Sequence, residues 1–188
     1  MVLREMKRGT PIQAHRLIQL ITEIQLPVVS VVKGWAAGLG CQIALASDFR
    51  IATATSCFWE PFLDRGFSPD SGATWLLPRL IGVARAKEML LLGRKVSGTE
   101  AAEWGLILRA VPEEQLGAAA EEIVSQLVND PTAAIGLTKQ CTQRALDGSL
   151  YEAMEAESNA LELSSRSKDF KEGLTAFSEG REPNFTGL

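Results

Sequence analysis

Apolar residues recur at helical spacing through Ile12, Leu17, Leu20, Ile21 and Ile24, which predicts an amphipathic helix. Thr10 suits its N-cap, Pro11 its first helical position, and Pro27 its end. The stretch 28–32 is β-branched apart from Ser30 and reads as a short strand buried on both faces. A glycine-punctuated turn, 34–40, leads into a small-residue helix at 41–46, and 48–52 reads as the next strand. Strand, turn, helix and strand make one β-α-β unit. A further short strand is expected at 56–58.

Beyond Pro69 the pattern turns helical. Helices are predicted over 72–80, 84–92 and 98–104, before a strand at 108–111. Amphipathic helices then follow at 116–128, 132–145, 151–163 and 168–177, with Asp130-Pro131 marking a break. The reading is a mixed α/β region over 1–110 and a helical region over 111–188. Such helices bury their apolar faces either against another subunit or on their own core, and assembly with other subunits is the expectation.

Composition narrows the function classes. The 188 residues are 46% hydrophobic and 22% charged, which is ordinary globular composition. A net charge of −4 gives no electrostatic case for nucleic acid or anionic membrane as a partner. Cys41, Cys57 and Cys141 are odd in number and widely spaced, against a disulfide framework and against a metal site. No apolar run reaches the roughly 20 residues of a membrane span, and a cytoplasmic setting is expected.

Two stretches are candidates for chemistry. Gly38-Leu39-Gly40 opens a predicted helix, where free backbone N–H groups and the helix dipole suit an oxyanion or a phosphate. The same glycines also suit plain close packing. Asp70, in Pro69-Asp70-Ser71-Gly72, is either a helix N-cap or an acid/base. Among Trp59, Phe62 and Phe67 its carboxylate would be desolvated and made more basic. His15, the only histidine, reads as a solvated surface residue, and Glu60 and Asp64 read as solvated loop charges.

Taken together, PVVSVVKGWAAGLGCQIALASDFRIA, GFSPDSGATWLLPRLIG, ARAKEMLLLGRKVSGTEAAEWGLI and the tail SKDFKEGLTAFSEGREPNF resemble the enoyl-CoA hydratase/isomerase (crotonase) superfamily. The resemblance implies an α/β fold of β-β-α superhelical turns with a C-terminal helical region. It also implies acyl-CoA thioester substrates, with coenzyme A entering only as part of the substrate, and a homotrimer or homohexamer. The Leu39 N–H would be one oxyanion donor, lined by Ala37, Gly38 and Gly40. Phe62 and Phe67 would contact the acyl group, and Phe177 would lie near the adenine of CoA. Gly180 stands where a lysine is common.

The two glutamates of hydratases correspond here to Gln42 and Phe62, neither of which ionises. Asp70 is the remaining carboxylate, in a setting that resembles the epoxyphenylacetyl-CoA isomerase type. Isomerisation is therefore expected over hydration, over hydrolysis of the dehalogenase kind, and over a catalytically weak acyl-CoA-binding subunit. Nothing before Thr10 resembles the family's upstream A-G-x-D-type loop, which carries the second oxyanion donor, so the N-terminal part of the usual domain is expected to be missing.

Overall fold

In a computed structural model, residues 9–187 are described, and they divide into two compact units. Of these, the first unit comprises residues 9–22 and 28–120, the second residues 23–27 and 121–187.

Helix α1 (Gly9–Glu23) opens the first unit. Thr10 lies inside this helix rather than capping it. Ala14 and Ile18 on its inner face are buried, while His15 is exposed, as its polar neighbours predict. Strand β1 (Val29–Val32) follows, then β2 (Trp35–Ala37), helix α2 (Leu39–Ala46), β3 (Phe49–Thr53) and β4 (Cys57–Trp59). After a 3-10 turn at Leu63–Arg65 come helix α3 (Ala73–Leu91), β5 (Val96–Ser97), α4 (Gly98–Glu103) and β6 (Arg109–Val111).

The strands sort into two three-stranded sheets, ordered β1-β3-β6 and β2-β4-β5. Every pairing is parallel except β4 with β5. Strands β1 to β4 therefore alternate between sheets, and the pairs β1-β2 and β3-β4 each lead into a helix, as the β-β-α expectation requires, while β5 joins the second sheet and β6 the first. The register sets Val29 opposite Phe49 in one sheet and Ala37 opposite Trp59 in the other. A core of Cys41, Leu45, Phe58, Leu77, Met89, Val96 and Leu106 fills the space between.

Two sequence readings are corrected here. Strand β1 is not buried on both faces: it ends its sheet, pairing only with β3, and Val31 is exposed. The turn expected over 34–40 contains strand β2, because Trp35–Ala37 finds its partner in β4, a pairing that three residues between glycines do not announce. One long-range brace is also new. Arg50 on β3 donates from Nε to the Leu106 carbonyl at 2.8 Å and from its guanidinium to the Leu45 and Ser47 carbonyls at the end of α2. A cation there satisfies carbonyls that the helix leaves open.

Helix α5 (Leu116–Asn129) runs from the first unit into the second, whose other helices are α6 (Thr132–Ala145), α7 (Leu150–Ser164) and α8 (Lys168–Glu179). Within the second unit α6 packs on α7. Lys139 of α6 donates to the Leu26 carbonyl at 3.1 Å, and a Cβ at Gly136 would come within 2.2 Å of the Gln25 carbonyl oxygen. Asp169, buried at the start of α8, accepts the Thr186 and Gly187 N–H groups at 2.8 Å each and so fastens the C-terminal tail. Among the described residues no helix is long and apolar enough to cross a membrane.

Candidate functional site

Gly38 turns the chain from β2 into α2. Its φ of 54° and ψ of −126° lie in a region closed to side chains by sterics, so glycine is required there. Its N–H donates to the Trp59 carbonyl at 2.9 Å, which fastens the turn to the end of β4. The next amides, of Leu39 and Gly40, open the helix and have no intrahelical acceptor. Both residues are exposed. A small-residue turn, stapled from behind and presenting two N–H groups at a helix start, can hold a carbonyl oxygen that is gaining negative charge.

The chain leaving β4 supplies the rest. A Cβ on Gly38 would stand 4.0 Å from Cζ of Phe62, so that ring packs directly beneath the turn. Phe62 is buried and meets Phe67 edge to face, with centroids 5.4 Å apart and planes at 79°, while Phe67 is half exposed. Trp59, expected in this apolar company, turns elsewhere: it packs against Trp35, lies under Lys95, and donates from Nε1 to the Gly93 carbonyl at 3.0 Å.

Asp70 does not cap α3. The cap position is Gly72, at φ 86°, and no side chain serves it. The backbone carbonyl of Asp70 accepts the Ala73 N–H at 3.2 Å, and Ser71 is driven to a positive φ of 51°. Among the described residues no hydrogen bond engages the half-buried Asp70 carboxylate, so capping does not compete for its oxygens. Ser71 Oγ beside it is buried without a partner.

Glu60 overturns its reading as a solvated loop charge. It is 1% exposed, and its Oε2 accepts a 2.8 Å hydrogen bond from Nε2 of Gln42, itself fully buried on α2. Oε1 of each residue has no hydrogen-bond partner. The Cys41 thiol lies against the Glu60 carboxyl as a second neutral partner. Burial pushes the Glu60 carboxyl up to about 8; the contacts with Cys41 and Gln42 oppose the shift, and the charge of Asp70 adds to it. Burial, with Glu60 adding to it, also drives the Cys41 thiol well above its ordinary value. Asp64, by contrast, is exposed as expected.

Ala37, Gly38, Leu39 and Gly40 thus form one turn, and Phe62 joins it to Phe67. Gln42 and Glu60 join α2 to the loop that carries Asp70. Phe177 lies in the second unit, on α8, with an 88% exposed ring. The family model for enoyl-CoA hydratase/isomerase matches residues 4–188. The chain belongs to the enoyl-CoA hydratase/isomerase family.

Individual relatives of this family agree. The 1,2-epoxyphenylacetyl-CoA isomerase of Escherichia coli is 39% identical over 171 residues, which are 91% of this chain and 65% of the relative. The crotonyl-CoA hydratase of Syntrophomonas wolfei is 34% identical over 171 residues, 91% of this chain and 66% of the relative. The chain therefore spans slightly less than two thirds of these relatives. Among solved structures, the enoyl-CoA hydratase of Bacillus anthracis superposes with a TM-score of 0.93 at 33% identity, covering 98% of this chain and 71% of that one. The crotonase-like α/β fold read from the motifs is the fold observed.

Proposed function

We propose that the protein is an acyl-CoA isomerase that moves a proton through an enolate. The observation that carries this reading is the charge pattern of the site. The two positions that resemble the glutamates of hydratases hold Gln42 and Phe62, and Asp70 stands beyond them with a carboxylate that no described hydrogen bond occupies. Water addition by two carboxylates needs both presented to the reacting water. Glu60 does not supply the second, since it is 1% exposed and hydrogen-bonded to Gln42.

The thioester carbonyl would accept the Leu39 N–H at the start of α2, with the Gly40 amide beside it. Negative charge growing on that oxygen is stabilised by the fixed amide and the helix dipole. Asp70 takes a proton from one carbon of the acyl chain, becomes a neutral acid, and returns the proton to another carbon. Leu39 in place of a glycine preserves the backbone donor and narrows the pocket with its side chain. Phe62 and Phe67 form an apolar wall for the acyl group, and Phe177 of a neighbouring subunit offers a flat face for the adenine of CoA. The exposed apolar faces of α7 and α8 favour a homo-oligomer, a trimer or a hexamer.

The test is turnover of an unsaturated acyl-CoA with a movable double bond. Asp70→Asn should lower kcat by about 10²–10⁴ while leaving binding of the acyl-CoA and the melting temperature unchanged. Undiminished turnover in that variant would remove Asp70 from the mechanism. Formation of the hydrated product alone would assign the chain to hydration instead.

A further inference from the structure

The most unusual side chain in the first unit is one the proposed reaction does not use. Glu60 is 1% exposed, and its partners are neutral: Nε2 of Gln42 donates to it at 2.8 Å, and the Cys41 thiol lies against it. An ionised carboxylate offers about four acceptor sites, and burying one without a cation or several donors is prohibitive. The titratable groups facing it are the Cys41 thiol from α2 and Asp70 from the loop before α3. Cys57, on β4, acts on Cys41 rather than on Glu60, and Lys95 acts on Cys57. Among the described residues no cation figures among the influences on Glu60.

The geometry also shows what the group connects. Gln42 sits on the first turn of the helix that opens with the Leu39 and Gly40 amides. Glu60 follows Trp59, whose carbonyl holds the Gly38 N–H. Two residues further on, Phe62 packs under Gly38. The Gln42–Glu60 bond is thus a second staple between the same two segments, on the side that faces Asp70 electrostatically.

We propose that Glu60 is a positioning residue for the Asp70 chemistry: as a neutral carboxylic acid it ties the amide-presenting helix to the loop after β4 and leaves the site a single negative charge. The inference rests on the isomerase reading for its kinetic consequence, though not for the protonation state. While Glu60 is neutral, Asp70 is the one anion and the enolate oxygen forms next to an uncharged neighbour. Once Glu60 ionises, a second buried negative charge faces both, and the enolate is disfavoured. The Glu60 proton itself does not move during turnover. This agrees with the upward displacement of its carboxyl to about 8, and with a general pattern in which two nearby carboxyls are driven into different charge states.

Glu60→Gln mimics the neutral acid and decides the matter by two readouts. The first is the infrared difference spectrum of wild type minus E60Q, which needs no activity. A protonated-carboxyl band at about pH 6 that vanishes by about pH 9.5 is expected. Its absence at about pH 6 overturns the proposal. The second is the pH profile of kcat for the unsaturated acyl-CoA. Wild type should lose about tenfold per pH unit above its alkaline midpoint, whereas E60Q stays flat there and matches wild type within about threefold near neutrality, with KM unchanged in both. A purely structural carboxyl would leave the alkaline limb in E60Q, and that result also overturns the proposal. Glu60→Leu, which removes the Gln42 contact at similar volume, should lower kcat at every pH without creating a limb. If Asp70→Asn retained turnover, the isomerase reading would fall, while the infrared band would still report whether Glu60 is neutral.

Discussion

A carboxyl sealed in the interior among neutral partners holds its proton up to about pH 8, and stability depends on that. The folded-state value of Glu60, about 8, lies above its ordinary 4.5. The folded protein therefore keeps a proton that the unfolded chain has already released, and stability falls as pH rises between those two values. Below about 4.5 the contribution is fully present, and above about 8 nothing further is lost. Wild type should lose stability across this window at a rate on the order of 1 kcal/mol per pH unit, and E60Q should not. Urea melts at about pH 5, 6.5 and 8 measure it: parallel curves for the two proteins would mean that Glu60 is already ionised at the lower end. Sequence reading placed this residue on the surface because acidic side chains near turns are usually solvated. The missed signal is the alternation from buried Phe58 through half-buried Trp59 to Glu60, which continues the inward face past the end of β4. At Asp70 the local Pro-Asp-Ser-Gly setting left capping and acid/base chemistry open; the coordinates dismiss capping, and the acid/base role stands as a proposal.

Elements whose pattern is long and periodic were read closely. The bounds of α6 match the expected 132–145, and those of α5, α7 and α8 differ by one or two residues at an end. The expected break between helices at 72–80 and 84–92 is present as a kink in α3, where Gly82 adopts φ 75° and ψ 162°. Strands β2 and β5 escaped because three residues, or two, cannot display a period; both exist through partners in β4. The junction of β5 with α4 shows how tightly such short pieces are set. A Cβ on Gly98 would lie 1.9 Å from the Thr53 carbonyl oxygen and 3.2 Å from that of Ala54, both backbone atoms that cannot step aside. Gly98→Ala should therefore destabilise the first unit by at least about 1–3 kcal/mol, seen as a lowered denaturation midpoint. At the other end of the chain, Ser149 and Glu152 form a reciprocal cap on α7: the Ser149 N–H donates to the Glu152 carboxylate at 2.7 Å, and Ser149 Oγ accepts the Glu152 N–H at 3.3 Å. Ser149→Ala should cost about 1 kcal/mol without altering catalysis, and an unchanged thermal midpoint would show that the cap contributes nothing.

At the scale of the molecule, the second unit carries more apolar surface than its own packing uses. On α7, Leu150, Met154 and Leu161 are 79%, 55% and 64% exposed, and at helical pitch they fall within about 40° of one another. On α8, Phe170, Leu174 and Phe177 make a comparable stripe, exposed by 40%, 57% and 88%. Contiguous patches of this kind mark association surfaces rather than ordinary monomer surface. Two stripes on one unit are a reasonable start towards the roughly 1,200–2,000 Å² that a stable interface buries. The periodicity of both helices was readable in the sequence; that their outer faces stay apolar was not, because an amphipathic helix alone does not reveal whether its apolar face meets its own core. The proposed oligomer follows from that surplus, and Met154→Glu with Leu161→Glu tests it. Sedimentation velocity should show wild type as a larger species and the double variant as a smaller one. Its melting temperature at high dilution should be unchanged, since both side chains face outward. Added salt should not dissociate the wild-type assembly, as apolar burial is strengthened or unaffected by screening, whereas an assembly held by ion pairs would weaken. A wild-type chain that sediments as a monomer across the micromolar range would instead leave these stripes without a partner of their own kind.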